Sequence, residues 1–346
     1  MEQRQQNNFV SPLFQINLMI VTTLYVLALV AKSIGHHVIT DPVPQIVPIT
    51  PQYMQQFDGD IPVITAGLFV RTINKFDMVK NEFVFDLGVW FILEPGVVPI
   101  ETLSQFAFDR AEVFDRQPPY TRKIRDKIFV GYDFKLRMSG DFNYRNFPID
   151  AHAIYLSMFN NNISMEEAVF DVASSNLHVG EDIQPREDWY LIGKEAAAGY
   201  YIERFQKKEA ITSFSWPEVL FTLKFARANI RYILSILLPL LMLFFMSLFT
   251  FSLDPLHDKG PIIALSGGSV TGLVTYSFVI ENISPKSGYF MLSDRIFFLF
   301  LGAIFFVFFM NLLTQQLNLI YKKIAVVMLH GIIITACSTL FLFWHA

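Results

Sequence analysis

Apolar positions along the chain follow two regimes. Up to about residue 222 they come in short runs, partly alternating with polar residues and rich in β-branched and aromatic side chains. Phe69–Ile73, Glu82–Ile92 and Ala153–Met158 are examples, and that pattern predicts strands. Turn-forming clusters punctuate them at Asp58-Gly59-Asp60, Glu94-Pro95-Gly96, Pro118-Pro119, Ser139-Gly140-Asp141, Asn160-Asn161-Asn162 and Pro185-Arg186-Glu187. The expectation is an all-β, immunoglobulin-like sandwich over residues 38–222.

Beyond that point the apolar character is nearly continuous. Only nine charged residues follow Tyr232: Asp254, Asp258, Lys259, Glu281, Lys286, Asp294, Arg295, Lys322 and Lys323. The four stretches between them each reach the roughly 20 residues that cross a bilayer as helix. A four-helix transmembrane domain is therefore expected over residues 223–346, with spans near 228–253, 260–281, 294–321 and 323–345. Lys322 and Lys323 point to a cytoplasmic third connection, which places the β region and the chain end outside a multi-pass cell-membrane protein, extracellular or periplasmic. A further apolar run, Leu18–Ala31, makes residues 1–35 a signal peptide or an uncleaved anchor. Cleavage is the favoured reading, because Gln15 and Asn17 interrupt any extension to a full span.

Composition agrees with a membrane protein: of 346 residues 53% are hydrophobic and only 17% charged, with 36 Phe. The single Cys337 excludes an intramolecular disulfide and a cysteine-based metal cluster, and a net charge of −4 offers nothing to nucleic acid. No nucleophile with a base, phosphate loop or zinc spacing is present, so neither an enzyme nor a cofactor or metal site is expected. His36 and His37 read as linker residues, and His330 and Cys337 as helix-packing residues. Glu181, Asp182, Glu187 and Asp188 read as a solvated loop more readily than as a calcium site, and Trp216 and Trp344 as membrane-interface residues.

The second span is unusual for a lipid-facing helix. Steps of four and three residues align Ala264, Gly268, Thr271, Thr275, Phe278 and Asn282 on one small, hydroxylated face. Two readings stand: the face lines an aqueous conduit, or its small residues let helices pack closely. The Gly267-Gly268 pair costs about 1 kcal/mol per residue in helix propensity and calls for one of these reasons.

Phe221-Thr222-Leu223-Lys224-Phe225-Ala226-Arg227 followed by Tyr232 to Pro239 resembles the pre-membrane strand and first helix of pentameric ligand-gated ion channels. Phe142 to Asp150, with its aromatic-Pro-x-Asp core, is similar to that family's signature loop, here without flanking cysteines as in prokaryotic members. Asp77 and the strand through Asp86 and Trp90 resemble its first hairpin, and Glu281 to Pro285-Lys286 resembles the end of its pore helix. The resemblance covers nearly all of residues 60–346, but no counterpart of the family's Trp-x-Pro-Asp segment is found, and Phe108 to Pro119 matches that region poorly.

The resemblance implies a homopentamer in a lipid bilayer. A small-molecule or ion agonist would bind between extracellular domains and open a pore for inorganic ions along residues 260–282. It implies pore-lining roles for the six stripe residues, with a Phe278 gate above polar rings of Thr271 and Thr275. Glu281 would supply charge at the outer mouth and Asp258 and Lys259 at the inner one, in a channel read as cation-conducting. Pro148 and Asp150 would meet Pro285 and Lys286, with Lys224 within reach of Asp150 as an ion-pair partner. Trp90, Phe159, Tyr200 and Tyr201 would contribute to the agonist site, although aromatic residues at such positions also serve as core. A non-conducting sensor and an accessory subunit of a larger assembly are the alternatives.

Overall fold

In the first regime β-branched and aromatic runs do form strands, and the strands form two sheets. The structure, a computed structural model, describes residues 10–34, 38–50, 61–180, 189–207, 210–227, 230–255, 257–313 and 319–342. The turns expected at Asp58 to Asp60 and Pro185 to Glu187, His36 and His37, the acidic loop at 181–188 and Trp344 lie outside these residues. Two compact units emerge, a β unit of residues 39–143 and 151–228, and a helical unit that contains residues 144–150 together with the apolar helices.

In chain order the β unit contains β1 (Val47–Pro48), β2 (Val63–Asp77), β3 (Glu82–Leu93), β4 (Ala107–Phe108), β5 (Ala111–Phe114) and β6 (Tyr120–Ile124). These are followed by β7 (Lys127–Met138), β8 (Ala151–Phe159), β9 (Val169–Asp171), β10 (Leu177–Val179), β11 (Trp189–Lys207) and β12 (Ala210–Arg227). One sheet runs β1-β11-β12-β8-β4. The other runs β10-β2-β3-β7-β5, with β9 beside β2 and β6 beside β7. Alternation decides which side chains lie between them. Ile154, Leu156 and Met158 on β8, Val219, Phe221, Leu223 and Phe225 on β12, and Phe83, Phe85, Leu87, Val89 and Phe91 on β3 all enter one buried cluster. Each such side chain contributes on the order of 1.5–3 kcal/mol by leaving water. β12 continues to Arg227, five residues beyond the expected domain edge, because Phe225 still packs in this core.

Among the described residues five helices are long and apolar enough to cross a membrane, one near the amino terminus and four after the β unit. They are α1 (Pro12–Ile34), α2 (Ile230–Phe249), α3 (Lys259–Ile283), α4 (Leu292–Leu313) and α5 (Leu319–Leu342). Helix α1 packs along α5 and α2. Gln15, which argued against a full span, is completely buried within the unit, so its polarity does not have to face lipid. Thr22 Oγ1 lies 2.7 Å from His330 Nδ1, Tyr25 Oη 2.9 Å from Ser338 Oγ, and the Ser33 hydroxyl donates to the Phe341 carbonyl at 3.2 Å. At the opposite end the Val10 amide donates to the Phe251 carbonyl at 2.9 Å. A polar seam thus joins the first helix to the last. Lys322 and Lys323 do not form the third connection, as they lie inside α5, where Lys322 is buried.

Candidate ligand cavity and candidate conduit helix

On β8 and β12 the residues that alternate away from the core form the outer face of the five-stranded sheet. Strand register aligns them in rows: Tyr201 opposes Trp216, Gly199 opposes Glu218 and Glu218 opposes Phe159, then Leu220 opposes Ser157. Of these, Ser157, Phe159, Tyr201, Trp216 and Glu218 line a cavity of about 680 Å³, whereas Leu220 lines a different one. Phe159 and Tyr201, both expected at an agonist site, therefore converge: their rings stack at 6.3 Å, and Tyr201 stacks on Trp216 at 6.0 Å with an interplanar angle of 11°. Trp216, read from sequence as a membrane-interface residue, lines this cavity instead, because its strand partner is Tyr201. Tyr200, one residue out of phase, packs against the Ile61, Met165 and Val169 cluster. Trp90 lies on the other sheet, stacked on Phe129 at 6.0 Å.

Glu218 went unnoticed in the sequence. It is only 5% exposed although it belongs to the outer face, and its Oε1 accepts a hydrogen bond from the Ser157 hydroxyl while Oε2 is buried with no partner. Burial pushes its carboxyl above the ordinary carboxylate value; the Ser157 bond opposes the rise and the neighbouring Asp109 charge adds to it. A buried carboxylate oxygen without a donor, beside three stacked rings, is chemically suited to a ligand that brings a hydrogen-bond donor or a positive charge. Arg110 borders the same cavity with a left-handed backbone (φ 51°) and its guanidinium held by Asp141.

In the same sheet Lys224 finds its carboxylate in Glu195, beside a second cavity of about 470 Å³.

In the helical unit, residues 144–150 form a 3₁₀ turn, Tyr144–Asn146, followed by a cis Phe147-Pro148 bond. The Tyr144 amide donates to the Tyr289 hydroxyl at 2.8 Å, the Arg145 guanidinium sits 5.5 Å from the Tyr289 ring, and the Phe147 carbonyl accepts from the Ser293 amide at 3.1 Å. The segment thus engages the connection between α3 and α4 and the start of α4. Pro148, Asp150 and Pro285 are buried and Lys286 is exposed. Tyr289 and Ser293, the residues that make these bonds, were not singled out in the sequence, where nothing marks a tyrosine hydroxyl as an acceptor.

Helix α3 carries the hydroxylated stripe. Ala264, Gly268, Thr271, Thr275, Phe278 and Asn282 are all exposed in the subunit, Phe278 at 61%, whereas Ile262, Ser266, Ser269, Leu273 and Ile280 turn inward. Glu281 and Lys259 are exposed and Asp258 half-buried. Thr275 donates to the Thr271 carbonyl at 2.9 Å, so its hydroxyl donor is satisfied within the helix and does not by itself require water. Close approach involves Gly272: a Cβ there would lie 2.9 Å from Leu243 Cδ2 on α2, while Gly268 has open space around it. The Tyr276 hydroxyl donates to the Ser235 carbonyl, a second tie between α3 and α2.

Among the described residues no group of three or more His, Cys, Asp or Glu is arranged to hold a metal ion. Comparison with protein-family models and with curated proteins gives no match.

Proposed function

We propose that the chain is a subunit of a ligand-gated ion channel with the architecture of the pentameric family. What carries this reading is the exposure of the entire α3 stripe: a small, hydroxyl-bearing face ending in Asn282 and Glu281 is left uncovered by its own subunit. Hydrocarbon is a poor environment for the Asn282 amide and the Glu281 carboxylate, and a water-filled axis shared by five copies supplies what they need. From Thr271 to Asn282 the stripe rises roughly 16 Å, enough for successive rings of Thr271, Thr275, Phe278 and Asn282. Five Phe278 rings form the gate by excluding water, and five Glu281 carboxylates at the outer mouth draw in cations.

The cavity beneath Tyr201 and Trp216 is the agonist site, with Glu218 as its polar anchor. Binding is read out through residues 144–150, whose bonds to Tyr289 and Ser293 engage the segment that follows the pore helix. Helix α1 is a retained fifth span rather than a cleaved leader, in keeping with its hydrogen bonds to α5. Particle symmetry in detergent tests the assembly, and a ring without five-fold symmetry ends the proposal. Phe278→Ser in a planar bilayer should raise resting current; an unchanged closed state removes Phe278 from the gate, and a reversal potential tracking chloride overturns cation selectivity.

A further inference from the structure

Between α1 and the first long strand, residues 38–49 cross the outer face of the five-stranded sheet as an extended strap. Its lower end is fastened by Asp41, a carboxylate only 6% exposed. Asp41 accepts the Asn143 amide at 2.7 Å and the Ala153 amide at 2.8 Å, and His152 Nδ1 lies 3.0 Å from it. Ile39 forms a parallel bridge with Ala151 just before this point. Its upper end is β1, which pairs with β11 through Val47–Tyr200 and Pro48–Gly199. The strap lies directly on the sheet there: a Cβ on Gly199 would be 2.4 Å from the Val47 carbonyl oxygen and 2.6 Å from Ile46 Cγ1, so only glycine permits the crossing.

Pro42, Val43, Pro44 and Gln45, between the two fastenings, line the cavity that holds Glu218, Tyr201 and Trp216, and Val43 and Pro44 also line the cavity beside Lys224 and Glu195. We propose that this strap is the size-selecting wall of the ligand cavity, with Val43, Pro44 and Gln45 as specificity-determining residues and Asp41 as the positioning residue that holds them. The proposal rests on the reading of this cavity as a ligand site and extends it. Compact ligands reach Glu218 past the strap, while bulky ones require it to lift. Proline at positions 42 and 44 fixes φ and keeps the segment extended.

A test uses the full-length protein with a reporter thiol, Ser157→Cys, at the side chain that contacts Glu218, while the native Cys337 is buried. Two thiol reagents, methyl methanethiosulfonate and a benzophenone-bearing methanethiosulfonate, are compared by their ratio of modification rates, with Ser175→Cys on the exposed surface as reference. The bulky reagent should lag at the cavity thiol and not at the reference. Asp41→Ala should raise the bulky-to-compact ratio at the cavity thiol about tenfold, the scale set by losing hydrogen bonds to a charged acceptor. Gly199→Val, which pushes the strap off the sheet at its β1 end, should do the same. Val43→Ala with Gln45→Ala trims only exposed side chains, Val43 being 66% exposed, and should raise the ratio even if the other two variants fail to fold. A ratio equal to the reference in the parent, or unmoved by the trimmed variant, overturns the proposal. No current is measured, so a protein that proves not to conduct leaves this result standing while the channel reading falls.

Discussion

Replacing Thr22 with valine keeps the shape of the side chain and removes the hydroxyl that lies 2.7 Å from His330 Nδ1. His330 is 1% exposed, and its Nε2 already has no partner, so the variant leaves an imidazole with both nitrogens unsatisfied between Phe244 and Phe245. Interhelical hydrogen bonds in membranes are worth about 0.6 kcal/mol on average and up to about 2, so Thr22→Val should cost on the order of 1 kcal/mol. The cost should depend on the partner. In a His330→Leu background the unsatisfied nitrogens are gone, and valine against leucine should be neutral or better. Thermal unfolding in detergent, followed by the loss of the intact particle on size exclusion, gives the four corners of a double-mutant cycle. Equal destabilisation by Thr22→Val in both backgrounds would refute the helix seam, as would a mature protein whose mass lacks residues 12–34.

Further outcomes follow from single contacts. Glu218→Gln addresses pH: the folded protein holds this proton more tightly than the unfolded chain, so wild-type stability falls as pH rises from the ordinary carboxylate value of 4.5 through the raised one. The variant should therefore melt above wild type at neutral pH and lose that advantage below pH 4.5, and parallel melting curves would count against the burial argument. Tyr289→Phe deprives the Tyr144 amide of its acceptor, which should cost about 1 kcal/mol and shift the agonist concentration for half-maximal opening while single-channel conductance stays the same. Gly272→Leu should destabilise by roughly 1–3 kcal/mol through Leu243, whereas Gly268→Ala meets nothing in the subunit; comparable losses in melting temperature would contradict the α2–α3 packing.

Strand faces were legible wherever alternation was strict. On β8, Ile154, Leu156 and Met158 point to the core and Tyr155, Ser157 and Phe159 away from it, although Phe159 itself was singled out through the family resemblance. Phase also explains the failures: Tyr200 and Tyr201 look alike in the sequence, but only strand register decides which one reaches the cavity. Trp216 was misread because an aromatic residue shortly before an apolar span also fits a membrane boundary, and its partner Tyr201 is fifteen positions away along a hairpin. Asp41 and its strap were invisible, since the partners of Asp41 lie more than a hundred residues further on. In the helical part, charge-free length marked four stretches that form long apolar helices but could not reveal that Thr22, Tyr25 and Ser33 of α1 bond to α5.

That seam has a consequence for how the subunit is made. Thr22 and its partner His330 are 308 positions apart, so α1 leaves the ribosome long before α5 and must wait for it before its polar groups are answered. Through most of translation Thr22, Tyr25 and Ser33 would sit in lipid or on an assembly factor without their final neighbour. Any nascent chain that stops short of α5 would be left with an open polar edge in α1, a mark by which membrane quality control can tell an unfinished subunit from a complete one.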